Sequence, residues 1–146
     1  MIDGYQVVAR EVLREIHAVL EGDSVKRVAL VDSENATALK SKQFRFYDLV
    51  VLIGSNANTI YRDLNAIRLV PISSGRPNNA DFHIAFVVGQ ISIYCGGKGL
   101  LLHIISADKG FDGFLRLTPK RYKRIDPSAT QSIPAKRKMV NPSASS

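Results

Sequence analysis

Cysteine is nearly absent from this sequence: Cys95 is the only one in 146 residues. One cysteine excludes an internal disulfide and any cysteine-built zinc site within the chain. Its apolar surroundings read as those of a buried structural thiol. Long apolar runs are absent too, since none approaches the roughly 18 to 20 residues that a membrane span needs. The N-terminal stretch MIDGYQVVAR lacks the basic start and apolar run of a secretory signal. These absences lead to the expectation of a cytoplasmic protein in a reducing compartment, with no membrane partner. There is no GxxxxGK[ST] phosphate loop and no GxSxG nucleophile elbow. The glycine-rich CGGKG, residues 95–99, follows a helical pattern and leads into an apolar run, so it reads as a helix stop and turn.

Acids are scarce at the C-terminal end. From Thr118 onward the chain carries Lys120, Arg121, Lys123, Arg124, Lys136, Arg137 and Lys138 against one acid, Asp126. The tail therefore holds +6 of the formal net charge of +7. A nearly neutral body with a basic tail is a footprint of a polyanion binder, and equally of a solvated tail that maintains solubility. Composition shifts to Pro, Ser, Ala, Lys and Arg at the same point. The expected organisation is a domain over residues 1–118 and a basic, flexible tail over 119–146, in which residues 119–125 add an edge strand or lie on the surface.

The body alternates two patterns. Residues 5–21 place Val8, Val12, Ile16, Val19 and Leu20 at helical spacing, with Asp3 as a cap and Gly22 as a stop. Four apolar runs then read as strands covered on both faces: Val28–Val31, Leu49–Ile53, Ile67–Ile72 and residues 100–106. Pro71 makes the third short, bulged or near an edge. Helical segments are expected at 34–41, 58–65, 79–94 and 110–117. Strands alternating with helices imply right-handed crossovers and a mainly parallel sheet, hence an α/β fold of three layers, α/β/α.

In such a sheet, ligands bind beyond the carboxyl ends of the strands. The first strand ends in Asp32-Ser33-Glu34-Asn35, the second in Gly54-Ser55-Asn56, and the fourth in Ser106-Ala107-Asp108, with Asp112 a turn further on. Each acid has an ordinary explanation: Asp32 and Asp108 as helix caps, Glu34 as a first-turn acid, Asn35 as a turn residue, Asp112 as a surface residue. Asp81 opens the helix of RPNNADFHIAF, either as a first-turn surface acid or on the face toward the sheet with Ala85 and Val88. His83 reads as an outward side chain. If these clusters share one rim, the carboxylates need a cation to remain ionised together. Asp residues without His or Cys suit a hard ion with oxygen ligands, Mg²⁺ or Mn²⁺, and with it phosphodiester hydrolysis. Arg76 would contact a substrate phosphate or be a plain loop residue.

The segments VALVDSEN, NNADFHIAFVVGQ and IISADKGFDGF, in that order, resemble the PIN/NYN-like nuclease superfamily, and most closely a bacterial PIN-like subgroup. The likeness spans roughly residues 27–116. It departs from that subgroup at Ala80 and His83, where bulkier or apolar residues are expected, and leaves the acids intact. The resemblance implies a Rossmann-like fold and a metal-dependent endoribonuclease. Carried over by position, Asp32, Asp81 and Asp108 would bind Mg²⁺ or Mn²⁺. Asp112 would be a fourth acid, acting directly or through water. Asn35 would orient the water or the phosphate. Ser106, Lys109, Arg76 and Glu34 would support the acids or hold substrate. RNA is the implied partner. An antitoxin, another protein or a second copy of the chain is a further one, the first helix offering a dimer face if it does not pack on the sheet. A toxin, a defence nuclease and an RNA-processing nuclease all fit. The alternative is a nucleic-acid-binding module that does not cleave. A phosphoacceptor or phosphatase reading fits poorly, because the two-aspartate form of that chemistry wants Asp where this chain has Glu34.

Overall fold

The computed structural model describes residues 4–21, 26–35, 39–71, 79–95 and 100–128. Helix α1 is Gly4–Leu20 and strand β1 is Lys26–Asp32. A 3₁₀ segment, Ser41–Phe46, precedes β2, Leu49–Ile53, and β3, Ile67–Leu69. Helix α2, Asn79–Cys95, leads to β4, Leu100–Ile105, then α3, Gly110–Leu115, and β5, Tyr122–Ile125. The five strands form one sheet in the order β3-β2-β1-β4-β5, and every pair is parallel.

The apolar runs form central strands because both faces are covered. Val28, Ala29, Leu30 and Val31 of β1 are all fully buried. Alternate residues serve opposite faces, as a pleated strand requires. Val28 and Leu30 join Val12, Ile16 and Leu20 of α1, Ile84, Val87, Val88 and Ile91 of α2, and Phe111 of α3. Ala29 and Val31 join Leu39, Phe44, Tyr47 and Ala57 on the other face. The result is a three-layer sandwich, and each fully buried Leu, Ile or Val contributes about 1.5–3 kcal/mol. On α2, Phe82 and Phe86 turn away from the sheet and are 70% and 53% exposed. Behind the second face, His103 of β4 lies with its Nδ1 2.7 Å from the Tyr47 hydroxyl, and burial lowers the imidazole to about 4, so it is neutral at pH 7.

Several elements differ from expectation. Residues 58–65 form turns, not a helix. Tyr61 has φ +50°, which interrupts helical geometry. The carbonyls that a helix would pair internally are instead collected by Arg68, whose guanidinium donates to Ala57, Ile60, Tyr61 and Leu64 at 2.7, 2.7, 2.7 and 3.1 Å. Glu34 and Asn35 sit in a turn, residues 36–38 lie outside the described residues, and the next regular element described is the 3₁₀ segment. β3, by contrast, is the short edge strand that Pro71 implied, and it stops at Leu69, two residues before that proline. Of the two placements open to residues 119–125, the structure takes the edge strand: β5 pairs with β4 from Leu102↔Tyr122 to Ile105↔Ile125, so the sheet continues past residue 118. Asp3, Gly22, Arg76, the 96–99 turn, the thiol of Cys95 and tail residues 129–146 lie outside what is described.

Among the described residues, no helix is long and apolar enough to cross a membrane. The order of strands matters most for the site. The chain leaves β1 toward β2 on one side and leaves β4 toward β5 on the other. Beyond the carboxyl ends of β1 and β4 the crossovers diverge, and a crevice opens where they part.

Candidate active site

β1 delivers Asp32 to this crevice and β4 delivers Ser106 and Asp108. The pairing of β1 with β4 runs from Lys26↔Leu100 to Val31↔Ile105, so Asp32 and Ser106 are the next residues in register. Asp32 is 1% exposed. A buried carboxylate is tolerated only with donors around it. Its Oδ2 accepts from Asn35 Nδ2 at 2.9 Å and from the Ser106 hydroxyl at 3.0 Å. Asn35 therefore holds the first acid, and Ser106, wholly buried, links it to the next. The same Ser106 Oγ accepts the Asp108 N–H at 3.0 Å. The Asp108 Oδ1 accepts the Gly110 N–H at 2.7 Å, as the turn into α3 requires. Asp108 is thus a turn acid ahead of α3 and not its cap, since the N-cap position is Lys109, which makes no side-chain cap bond.

The turn does not account for the whole environment of the Asp108 carboxylate, because Asp81 interacts with it. Asp81 sits in the first turn of α2 and shares a side-chain hydrogen bond with Asp108. Burial first, then that bond and the negative charges of Asp108, Asp32 and Glu34, push the Asp81 carboxyl up to about 7. The shared bond and the Gly110 amide hold Asp108 below the usual carboxylate range. Two carboxylates in contact keep one proton between them or share a cation. Asp81 therefore lies near enough to Asp108, Asp32 and Glu34 to be influenced by their charges. Ala80, beside it, is buried.

Asp112 behaves differently. Its Oδ1 accepts from Arg124 Nε at 2.8 Å and its Oδ2 from Nη2 at 3.2 Å. That ion pair lowers the Asp112 carboxyl and raises Arg124. The carboxylate is spoken for by β5 and is not gathered with the other acids. Lys109 is exposed beside the site, whereas Arg76 lies outside the described residues.

The opposite side of the rim is held by Ser33 and Asn56, which the sequence reading did not single out as functional, and by Glu34, which it did. Ser33 Oγ donates to Asn56 Oδ1 at 2.6 Å, and Asn56 Nδ2 donates to the Ser33 carbonyl at 3.2 Å. Glu34 accepts the Ser55 N–H at 2.9 Å. Gly54, at φ +157°, makes this closure possible, because a Cβ there would overlap the Ser33 hydroxyl. The polar Gly54-Ser55-Asn56 ending of β2 was the signal for this contact. Arg124 was missed for another reason: its charge was counted with the tail, and only a strand at 122–125 brings it to the rim.

Among the described residues, no three His, Cys, Asp or Glu side chains converge tightly enough to enclose a metal ion. The all-oxygen donor set centred on Asp81 and Asp108 does suit a hydrated hard cation, which binds through one or two carboxylates and retains its waters. Comparison with protein families agrees with the architecture. A family model described as a PIN domain matches residues 26–122. That is more than half of the chain, and the chain belongs to the PIN domain family. No curated protein and no solved structure matches it significantly.

Proposed function

We propose that this chain is a metal-dependent endoribonuclease, with Asp32, Asp81 and Asp108 as the acids that hold Mg²⁺ or Mn²⁺. The observation that carries this reading is the Asp81–Asp108 contact at the sheet's crevice, beside the buried Asp32. Membership of the PIN domain family, whose members generally hydrolyse nucleic acids, supports the reaction class. A bound divalent cation would supply an acidic water as nucleophile and offset charge building on the phosphate. The protein's own groups do the rest. Asn35 and Ser106 fix the Asp32 carboxylate, and Glu34 fixes the loop after β2. Asp81, pushed to about 7, is the acid that gives up its proton when a cation arrives. Lys109, with Arg76, would hold the substrate phosphates, and the surplus of +7 favours a polyanion. A cytoplasmic toxin, a defence nuclease and an RNA-processing nuclease are the settings that fit, the first with an antitoxin as protein partner.

Cleavage of a labelled single-stranded RNA is expected with Mn²⁺, lost with EDTA, and lost in Asp108→Asn. Cleavage that ignores both changes would sink the proposal. One observation favours a second reading, a non-cleaving RNA-binding module: the absence of a closed three-carboxylate cluster among the described residues. That reading predicts salt-dependent RNA binding with no metal-dependent turnover.

A further inference from the structure

We infer that Arg124 is a positioning residue of the acidic site and that Asp112 is its anchor, not a fourth metal ligand. This inference deepens the nuclease reading and rests on it. β5 places Arg124 beside Ile104, one residue short of the end of β4. Its guanidinium bonds three atoms in two different elements. Nε and Nη2 grip the two oxygens of Asp112 on α3, while Nη1 donates to the Ser106 carbonyl at 3.1 Å. The side chain is only 14% exposed, whereas Asp112 is half exposed. A planar fork with five donors can make this span; a lysine ammonium can satisfy one end or the other.

What Arg124 holds is the hub of the site. Ser106 is fully buried, donates its hydroxyl to Asp32 and accepts the Asp108 amide. Its backbone is clamped on one side by the Ile125 carbonyl, which accepts the Ser106 N–H at 3.0 Å, and on the other by Arg124. Fixing Ser106 therefore fixes the spacing of two of the three acids. The ion pair with Asp112 keeps the guanidinium in place and cancels its charge. Asp112 then adds no net negative charge to the site, and the cation faces Asp32, Asp81 and Asp108. Groups behind metal-binding side chains commonly govern affinity in this way.

The test compares the full-length protein with Arg124→Lys and Arg124→Gln, by amide hydrogen exchange and by Mn²⁺ titration followed through water-proton relaxation. Both variants should speed exchange of the Ser106 and Asp108 amides by about tenfold while the Leu30 and Val31 amides keep their rates. Both should also weaken Mn²⁺ binding at least about threefold, although Arg124→Gln removes a positive charge. Asp112→Asn should give the same local acceleration. Unchanged exchange at Ser106 and Asp108, or exchange that rises equally through β1, overturns the positioning role. Mn²⁺ bound more tightly by Arg124→Gln also overturns it, since the arginine would then only compete for a fourth ligand. If the parent protein binds no Mn²⁺, the nuclease reading fails, while the exchange data still decide what Arg124 positions.

Discussion

The two sides of the rim are built in opposite ways. Beside β2, the contacts are mostly between neutral groups: Ser33 to Asn56, Asn56 back to Ser33, the Ser55 amide to Glu34, and Gly54 packed against Ser33 and Glu34. Toward β4 and β5 the contacts are charged: Asp81 against Asp108, and Asp112 against Arg124. On this side hydrogen bonds tie the turn after β1 to the turn after β2, so it serves as a wall. The charged side brings two carboxyls together whose repulsion only a retained proton or a cation relieves. Proteins retain such strain at functional positions, where its relief by a ligand is part of the function.

Substitutions should separate the two sides. Asp108→Asn is expected to lower Mn²⁺-dependent RNA cleavage by about a hundredfold or more, the scale of losing a group that acts on the reacting charge. Its melting temperature should hold steady or rise, because the repulsion with Asp81 is gone; loss of both activity and fold would make Asp108 a structural residue. Gly54→Ala should do the reverse. Its new Cβ collides with Ser33, and we expect a loss of roughly 2–4 kcal/mol in chemical denaturation. Asn56→Ala removes two hydrogen bonds from the same wall and should reduce stability by about 1–2 kcal/mol, with weaker effects on cleavage than Asp108→Asn.

The same contrast explains what the sequence disclosed. The strands β1, β2 and β4 were legible because parallel strands buried on both faces are written as unbroken apolar runs. Asp32 and Asp108 were legible because acids ending such runs stand out, and the order of motifs placed Asp81 with them. The segment between β2 and β3 was not legible. Its spacing suits a helix, and instead Tyr61 takes a positive φ and Arg68, on β3 just beyond, collects four carbonyls. β5 was only half legible, since YKRI has two apolar residues amid cations. Arg124's part in the site followed it out of view, and with it the ion pair that occupies Asp112.

The carboxyl pair also sets a pH dependence. The unfolded chain releases the Asp81 proton near its ordinary value of 3.8, whereas the folded chain keeps it to about 7. Asp108, held low, has finished titrating by then. Stability from the retained proton is therefore present below about pH 4 and is lost as pH rises toward 7. In EDTA the melting temperature should fall across that window, and Asp81→Asn should flatten the fall. A cation takes the proton's place, so Mg²⁺ should restore stability most strongly at and above pH 7. The most direct measurement is a ¹³C NMR titration of the Asp81 carboxyl with and without Mg²⁺. A midpoint near 7 without the ion, displaced well downward by it, is the expected result. An ordinary carboxylate midpoint that Mg²⁺ leaves unmoved would contradict the claim that Asp81 and Asp108 form the cation site.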